Sequence, residues 1–233
     1  MDNDEKPDLV FGTNLGLYVL ENRGWGKYVR AASFKPPKAF LKIAEDIGCT
    51  ESSGVCNTPY SDIVTYDVDG DGKLEVIASL AFQRDNGTWT GQHFQVLKRQ
   101  NKKWKDITST VFPNQNKGPF DGHEWCMSIS IVDLNSDGKD DIVCNSATNM
   151  GLREGLELFF IFKDGQFNPL MSLKDESGLQ KRLQNLAKKH PVLVSSVNLN
   201  GTQNLIAIWQ LWVDETGKGD TIKSFKIRAL PLK

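Results

Sequence analysis

Short apolar runs, many of them β-branched or aromatic and interleaved with polar residues, recur along the whole chain. The clearest are Ile63-Val64-Thr65-Tyr66, Leu74-Glu75-Val76-Ile77-Ala78-Ser79, Ile129-Ser130-Ile131-Val132 and Asp141-Ile142-Val143-Cys144. Runs of this length and composition predict strands rather than helices. Fourteen strands follow from the pattern, in four groups. The first group is 8–13, 16–21 and 26–32; the second is 60–66, 74–81, 92–99 and 103–111. The third is 123–132, 141–147, 156–163 and 166–172; the last is 191–197, 204–213 and 221–230. Two stretches change period. Residues 37–47 place Phe40, Leu41, Ile43, Ala44 and Ile47 at helical spacing, and residues 177–190 place Leu179, Leu183, Leu186 and Ala187 there, with lysines between. Both are expected to be short helices between groups of strands.

Two acidic loops interrupt the strands at matching points. Asp67-Val68-Asp69-Gly70-Asp71-Gly72-Lys73-Leu74-Glu75 carries carboxylates at positions 1, 3, 5 and 9, with glycine at 4 and 6. Asp133-Leu134-Asn135-Ser136-Asp137-Gly138-Lys139-Asp140-Asp141 repeats Asp, Asn, Asp and Asp at those four positions. So many like charges in nine residues repel one another unless a cation joins them. Calcium suits the ligand set, since it takes six to eight oxygens at flexible geometry. The expected ligands are Asp67, Asp69, Asp71, the Lys73 carbonyl and Glu75, then Asp133, Asn135, Asp137, the Lys139 carbonyl and Asp141. An EF-hand is excluded, because position 12 is Ala78 or Cys144 rather than a bidentate Glu and the exits are strands. A shortened copy without carboxylates stands at Asn198-Leu199-Asn200-Gly201-Thr202, where no metal is expected. Asp2, Asp4 and Asp8 read as positions 3, 5 and 9 of a further copy. A period near 65 residues marks a repeat architecture.

A strand, then Asp-x-Asp-x-Asp-Gly-x-x-Asp/Glu, then an aliphatic strand resembles the FG-GAP/VCBS repeat, with Asp8-Leu9-Val10-Phe11-Gly12 standing as its "FG" element and Trp104-Lys105-Asp106-Ile107-Thr108 as a repeat end. The resemblance covers nearly the whole chain. It implies the integrin-α-like β-propeller: an all-β fold of four-stranded antiparallel blades, with calcium held in inter-strand loops. Repeats are expected at roughly 1–35, 60–113, 123–173 and 191–233, forming one propeller domain or fragment with helical insertions at 37–47 and 177–190. Fourteen strands amount to about three and a half blades. The reading favoured here is part of a larger propeller; association of copies through open blade edges is the alternative.

Composition narrows the function. A net charge of −1 and no basic stripe argue against nucleic acid. No apolar run approaches the ~20 residues that span a bilayer. The first residues are polar and acidic and contain no signal peptide. An extracellular, cell-surface or periplasmic place is therefore inferred from the calcium loops and the family. Cys49 and Cys56 flank a polar loop that a disulfide would close; Cys126 and Cys144 are read as buried thiols, on a register that pairs Val132 with Ile142. Trp25, Trp104 and Trp125 fall at matching repeat points and are expected in the core. His93 is expected to be half-exposed.

The candidate partner-binding residues are Trp89, in the polar turn 84–91, and His123, in Phe120-Asp121-Gly122-His123-Glu124-Trp125. An indole in such a turn stacks on a sugar or a partner side chain, unless it folds back over the hairpin. No nucleophile, base and acid fall in a recognisable catalytic spacing. The expectation is therefore a non-enzymatic, calcium-binding adhesion or binding module for protein or glycan partners. The alternative is a non-catalytic propeller domain of a secreted polysaccharide- or protein-degrading enzyme. Catalysis through His123 and Glu124 is a third reading.

Overall fold

The computed structural model describes residues 4–13, 15–38, 40–42, 60–83, 89–115, 126–145, 159–174, 178–187, 193–199, 202–213 and 221–231. It is mostly β, with antiparallel sheets of three and four strands of the kind that build propeller blades. The first group of strands is β1 Leu9–Thr13, β2 Gly16–Asn22 and β3 Tyr28–Phe34, and the second is β4 Tyr60–Tyr66, β5 Glu75–Gln83, β6 Trp89–Gln100 and β7 Lys103–Asp106. The third is β8 Ser128–Val132, β9 Asp141–Asn145, β10 Phe159–Lys163 and β11 Gln166–Pro169, and the last is β12 Leu193–Leu199, β13 Thr202–Val213 and β14 Thr221–Pro231. Within each sheet, neighbours in sequence are neighbours in space. All fourteen predicted strands are present. The chain divides into two compact units, residues 1–129 with 164–166, and residues 130–163 with 167–233.

In the first unit, one face of β1–β3 packs on the second sheet. Leu17 and Val19 meet Val76, Ala78, Leu97 and Trp104, with Val10, Phe34, Tyr60 and Ile63 around them. The closeness of this approach explains the glycine of the "FG" element. A Cβ on Gly12 would collide with the Tyr60 side chain. A partly buried polar chain continues from Tyr60 through the buried Gln95. Its hydroxyl donates to Gln95 Oε1 (2.5 Å), and Gln95 Nε2 donates to the Lys35 carbonyl (3.0 Å) and to Asp106 Oδ2 (2.8 Å).

Asp106 also accounts for where β7 ends. The predicted strand 103–111 stops at Asp106, and Thr108–Val111 form a short helix, α1. Asp106 Oδ1 accepts from the Thr108 amide (2.9 Å) and hydroxyl (2.6 Å), and Thr108 Oγ1 accepts from the Val96 amide (2.9 Å). A side chain that bonds the backbone two residues ahead offers an alternative to the ladder, and here it wins. The predicted strand 166–172 is likewise cut short at Pro169, followed by a 3₁₀ turn over Leu170–Ser172. Tight hairpins need left-handed residues at both central positions. Asn101 (φ 49°) with Lys102 (φ 65°), and Asp164 (φ 54°) with Gly165 (φ 79°), supply them.

In the second unit every residue of β9 is buried, alongside Phe159, Phe160, Phe167 and Leu170. The predicted helix at 177–190 is present as α2, Leu179–Ala187. Leu179 and Leu183 are buried while Lys181 and Arg182 face water, as the spacing requires. Of the stretch 37–47, the Phe40 and Leu41 amides donate to the Pro37 carbonyl (3.0 and 3.1 Å) in a helical turn; residue 39 and residues beyond 42 lie outside those described. No helix among the described residues is long and apolar enough to cross a membrane.

Candidate metal centre

The two acidic loops fold alike. Each joins an antiparallel hairpin, and in each the position-1 carboxylate gathers loop amides. Asp67 accepts from Gly70 (2.8 Å), Asp71 (3.1 Å) and Gly72 (2.8 Å). Asp133 accepts from Asp137 (3.2 Å) and Gly138 (3.0 Å). Position 5 then accepts from position 7, Asp71 from the Lys73 amide and Asp137 from the Lys139 amide, both at 2.9 Å. Positions 4 and 6 must be left-handed for the chain to coil this tightly. Gly70 (φ 74°) and Gly72 (φ 80°) do so freely; Ser136 (φ 62°) does so against the usual preference, followed by Gly138 (φ 82°).

Position 9 anchors each loop from beneath. Glu75 Oε2 accepts from the Val68 amide and Asp141 Oδ2 from the Leu134 amide, both at 2.9 Å. Asp141 Oδ1 accepts in addition from the Phe162 amide (2.8 Å). Burial pushes the Asp141 carboxyl up to about 7, against those two amides and with Asp137 and Asp133 adding to the rise. In the first sheet Asp8 accepts from the Asn22 amide of the neighbouring strand (3.0 Å), as Asp141 accepts from Phe162.

Asp67, Asp69 and Asp71 each bring a carboxylate oxygen to within 4.8 Å of the others, a set that could hold a metal. The loop fits a cation in a second respect. Glu75 is 1% exposed, and its Oε1 makes no hydrogen bond. It lies 3.2 Å from Lys98 Nζ, an ion-pair distance without hydrogen-bond geometry. Lys98 reaches in from β6, with Nζ 2.5 Å from Asp69 Oδ2 and 2.9 Å from Asp71 Oδ2. Burial works against its ammonium, but the hydrogen bonds to Asp69 and Asp71 and the ion pair with Glu75 outweigh that and raise Lys98 above its ordinary range. The hydrogen bond from Lys98 in turn lowers Asp71, while burial raises Glu75. Lys98 was not among the residues read from the sequence. Its signal was there, a lysine inside an apolar strand, legible only once the register set it opposite Glu75.

Position 7 differs between the loops in its side chain. Lys73 Nζ lies 3.6 Å from Asp71 Oδ2, whereas Lys139 Nζ lies 5.7 Å from the centre of the Phe162 ring. In the second loop Asn135 Oδ1 accepts from the Asp137 amide and its Nδ2 donates to Asp137 Oδ2, both at 3.0 Å. The shortened copy closes differently. β12 and β13 pair down to Leu199 with Thr202, so residues 200 and 201 alone separate them where 67–74 stand in the first loop.

Several expectations are corrected. Trp104 is in the core, but Trp25 is fully exposed, its left-handed φ of 55° between Gly24 and Gly26 turning the indole out of the sheet. His93 is buried beside Phe40 rather than half-exposed. Trp89 is the first residue of β6, not part of a turn, because the hairpin extends to Gln83 paired with Trp89; its side chain lies outside the described residues, as do His123 and Trp125. Cys126 and Cys144 are buried, as expected, but both are disulfide-bonded. Cys126 stands two residues before the first residue of β8, so the strand register does not decide where its side chain lies.

No curated protein matches the chain. Residues 67–144, which run from the first position of one acidic loop to just beyond the end of the other, match the family model described as FG-GAP-like repeat. The matched stretch is similar to an FG-GAP-like repeat and spans both candidate metal loops.

Proposed function

We propose that the protein is a calcium-binding β-propeller module whose calcium is structural and whose sheets serve binding or adhesion to protein or glycan partners. The observation that carries the reading is the shared loop architecture. Two nine-residue loops bend their backbone around one carboxylate, and in the first Asp67, Asp69 and Asp71 bring their carboxylates together. An ion in either place clamps two strands rather than meeting a substrate. Asp67, Asp69, Asp71, Glu75 and the Lys73 carbonyl would hold it in one loop. Asp133, Asn135, Asp137, Asp141 and the Lys139 carbonyl would hold it in the other. Extracellular calcium modules bind at roughly 10⁻⁴–10⁻³ M. At millimolar calcium each filled site then adds on the order of 1 kcal/mol to stability.

The same reading makes the protein non-enzymatic. The candidate acids are engaged with loop amides, which suits a scaffold. Disulfides at Cys126 and Cys144 favour an oxidising compartment, hence an extracellular, surface or periplasmic place. Exposed Leu9, Phe11 and Tyr28 on the first sheet, with Trp25 beside it, favour a contact surface for a partner.

The test is a calorimetric calcium titration of EDTA-stripped protein, with thermal unfolding in parallel. Close to two bound calcium ions and a raised Tm are expected. No heat and no thermal shift would reduce both loops to hydrogen-bonded turns.

A further inference from the structure

The residue opposite position 9 on the neighbouring strand differs in each repeat. Continued by one residue past their end pairs Leu9–Leu20, Val76–Leu97 and Ile142–Phe160, the registers bring Glu21 to Asp8, Lys98 to Glu75 and Ile161 to Asp141. Glu21 is held by Arg23 and Arg99. Ile161 is apolar and buried, and among the described residues no lysine or arginine pairs with Asp133, Asp137 or Asp141. Loop 67–75 therefore differs from its sister in one decisive respect. A primary ammonium, its side chain 7% exposed, lies within 3.2 Å of three of the loop's carboxylates. The one of these that is buried, Glu75, turns an oxygen with no hydrogen bond toward it.

We propose that Lys98 is a resident counter-cation of loop 67–75, competing with calcium for Asp69, Asp71 and Glu75, so that loop 133–141 is the tight site and loop 67–75 the weak one. The proposal rests on the calcium reading above. The physical argument is mutual exclusion. The ammonium donates to the oxygens that a divalent ion needs, and two cations a few ångströms apart repel. Calcium enters by moving the ammonium aside, which weakens binding. Without metal, the ammonium neutralises part of the loop's charge and keeps it folded. Among the described residues loop 133–141 has no such device, and its own Lys139 is turned to the Phe162 ring.

Calorimetric titration of the full EDTA-stripped chain with calcium tests this. The wild type is expected to show two classes of site at least tenfold apart in Kd. Asp133→Ala should abolish the tight class and leave the weak one. Lys98→Met, which keeps the apolar stem and removes the charge, should tighten the weak class at least tenfold without moving the tight one. Two equal sites in the wild type, or a weak class unmoved in Lys98→Met, would overturn the proposal while leaving the calcium reading standing. Absence of binding in every variant would overturn both. A measurement on the wild type avoids any dependence on how the variant folds. Lys98 should resist an amine-acylating reagent in EDTA and become reactive as the weak class fills, read by peptide mass spectrometry. Filling of that class with no change at Lys98 would sink the competition.

Discussion

Gly72 and Gly138 hold left-handed φ angles of 80° and 82°, and a Cβ at either would meet nothing within 4 Å. The cost of a side chain there is thus conformational alone, about 1–2 kcal/mol for an L-residue in this region. Gly12 is the opposite case, since its φ is ordinary and its Cβ would strike Tyr60. Overpacking of this kind costs about 1–3 kcal/mol, because β1 or Tyr60 must shift. Urea unfolding should separate the two. Gly72→Ala should lower the midpoint modestly, and calcium should still raise it. Gly12→Ala should lower it and also disturb Tyr60, seen as a changed tyrosine signal in near-UV circular dichroism. An unaltered tyrosine signal in Gly12→Ala would contradict the close approach. Both loop glycines were legible as turn residues; Gly12 was legible only as part of a family signature, because its neighbour Tyr60 is far away in sequence.

At the scale of elements, β4 enters the first unit through Tyr60, whose hydroxyl lies against Gln95 and whose titration is raised, first by burial and then by the nearby Asp106 charge. A group whose folded pKa lies above its unfolded value, about 10 for tyrosine, stabilises the fold below that value. The contribution fades as pH climbs above about 10 toward the higher folded value. Chemical unfolding measured across that range should show stability falling. Tyr60→Phe should flatten the decline, at a cost of about 1–3 kcal/mol near neutrality for the stranded Gln95 oxygen. An identical slope in the variant would remove Tyr60 as the cause. The pattern of short apolar, β-branched runs sufficed to place all fourteen strands. It did not show where β7 and β11 stop. Those ends are decided by the Asp106 side chain bonding its own backbone and by the turn after Pro169. Nor did it reveal Lys98, because a charge inside a strand gains meaning only from what the register sets opposite it.

For the molecule as a whole, the outer face of the first sheet carries the remaining argument. Alternation along β1 sends Val10 toward the core and leaves Leu9 (46% exposed) and Phe11 (42%) outward. The register adds Tyr18 opposite Phe11, with the two rings stacked at 5.3 Å, and Leu20 opposite Leu9. Tyr28, opposite Asn22, lies on the same side. The inner face of this sheet is covered by its neighbour; its outer face presents equivalent apolar residues to water. Contiguous apolar surface on a sheet drives association unless something covers it. Sedimentation velocity of the isolated chain should therefore show a concentration-dependent shift toward larger species. Replacing two of the outward residues, Leu9→Lys with Phe11→Ser, should return it to a single slow species at matched concentrations. The Tm should move by only a few degrees, because neither residue belongs to the core cluster around Leu17 and Val19. A sedimentation coefficient independent of concentration in the wild type would mean that this face stands open in water without cost, and the association argument would fail with it.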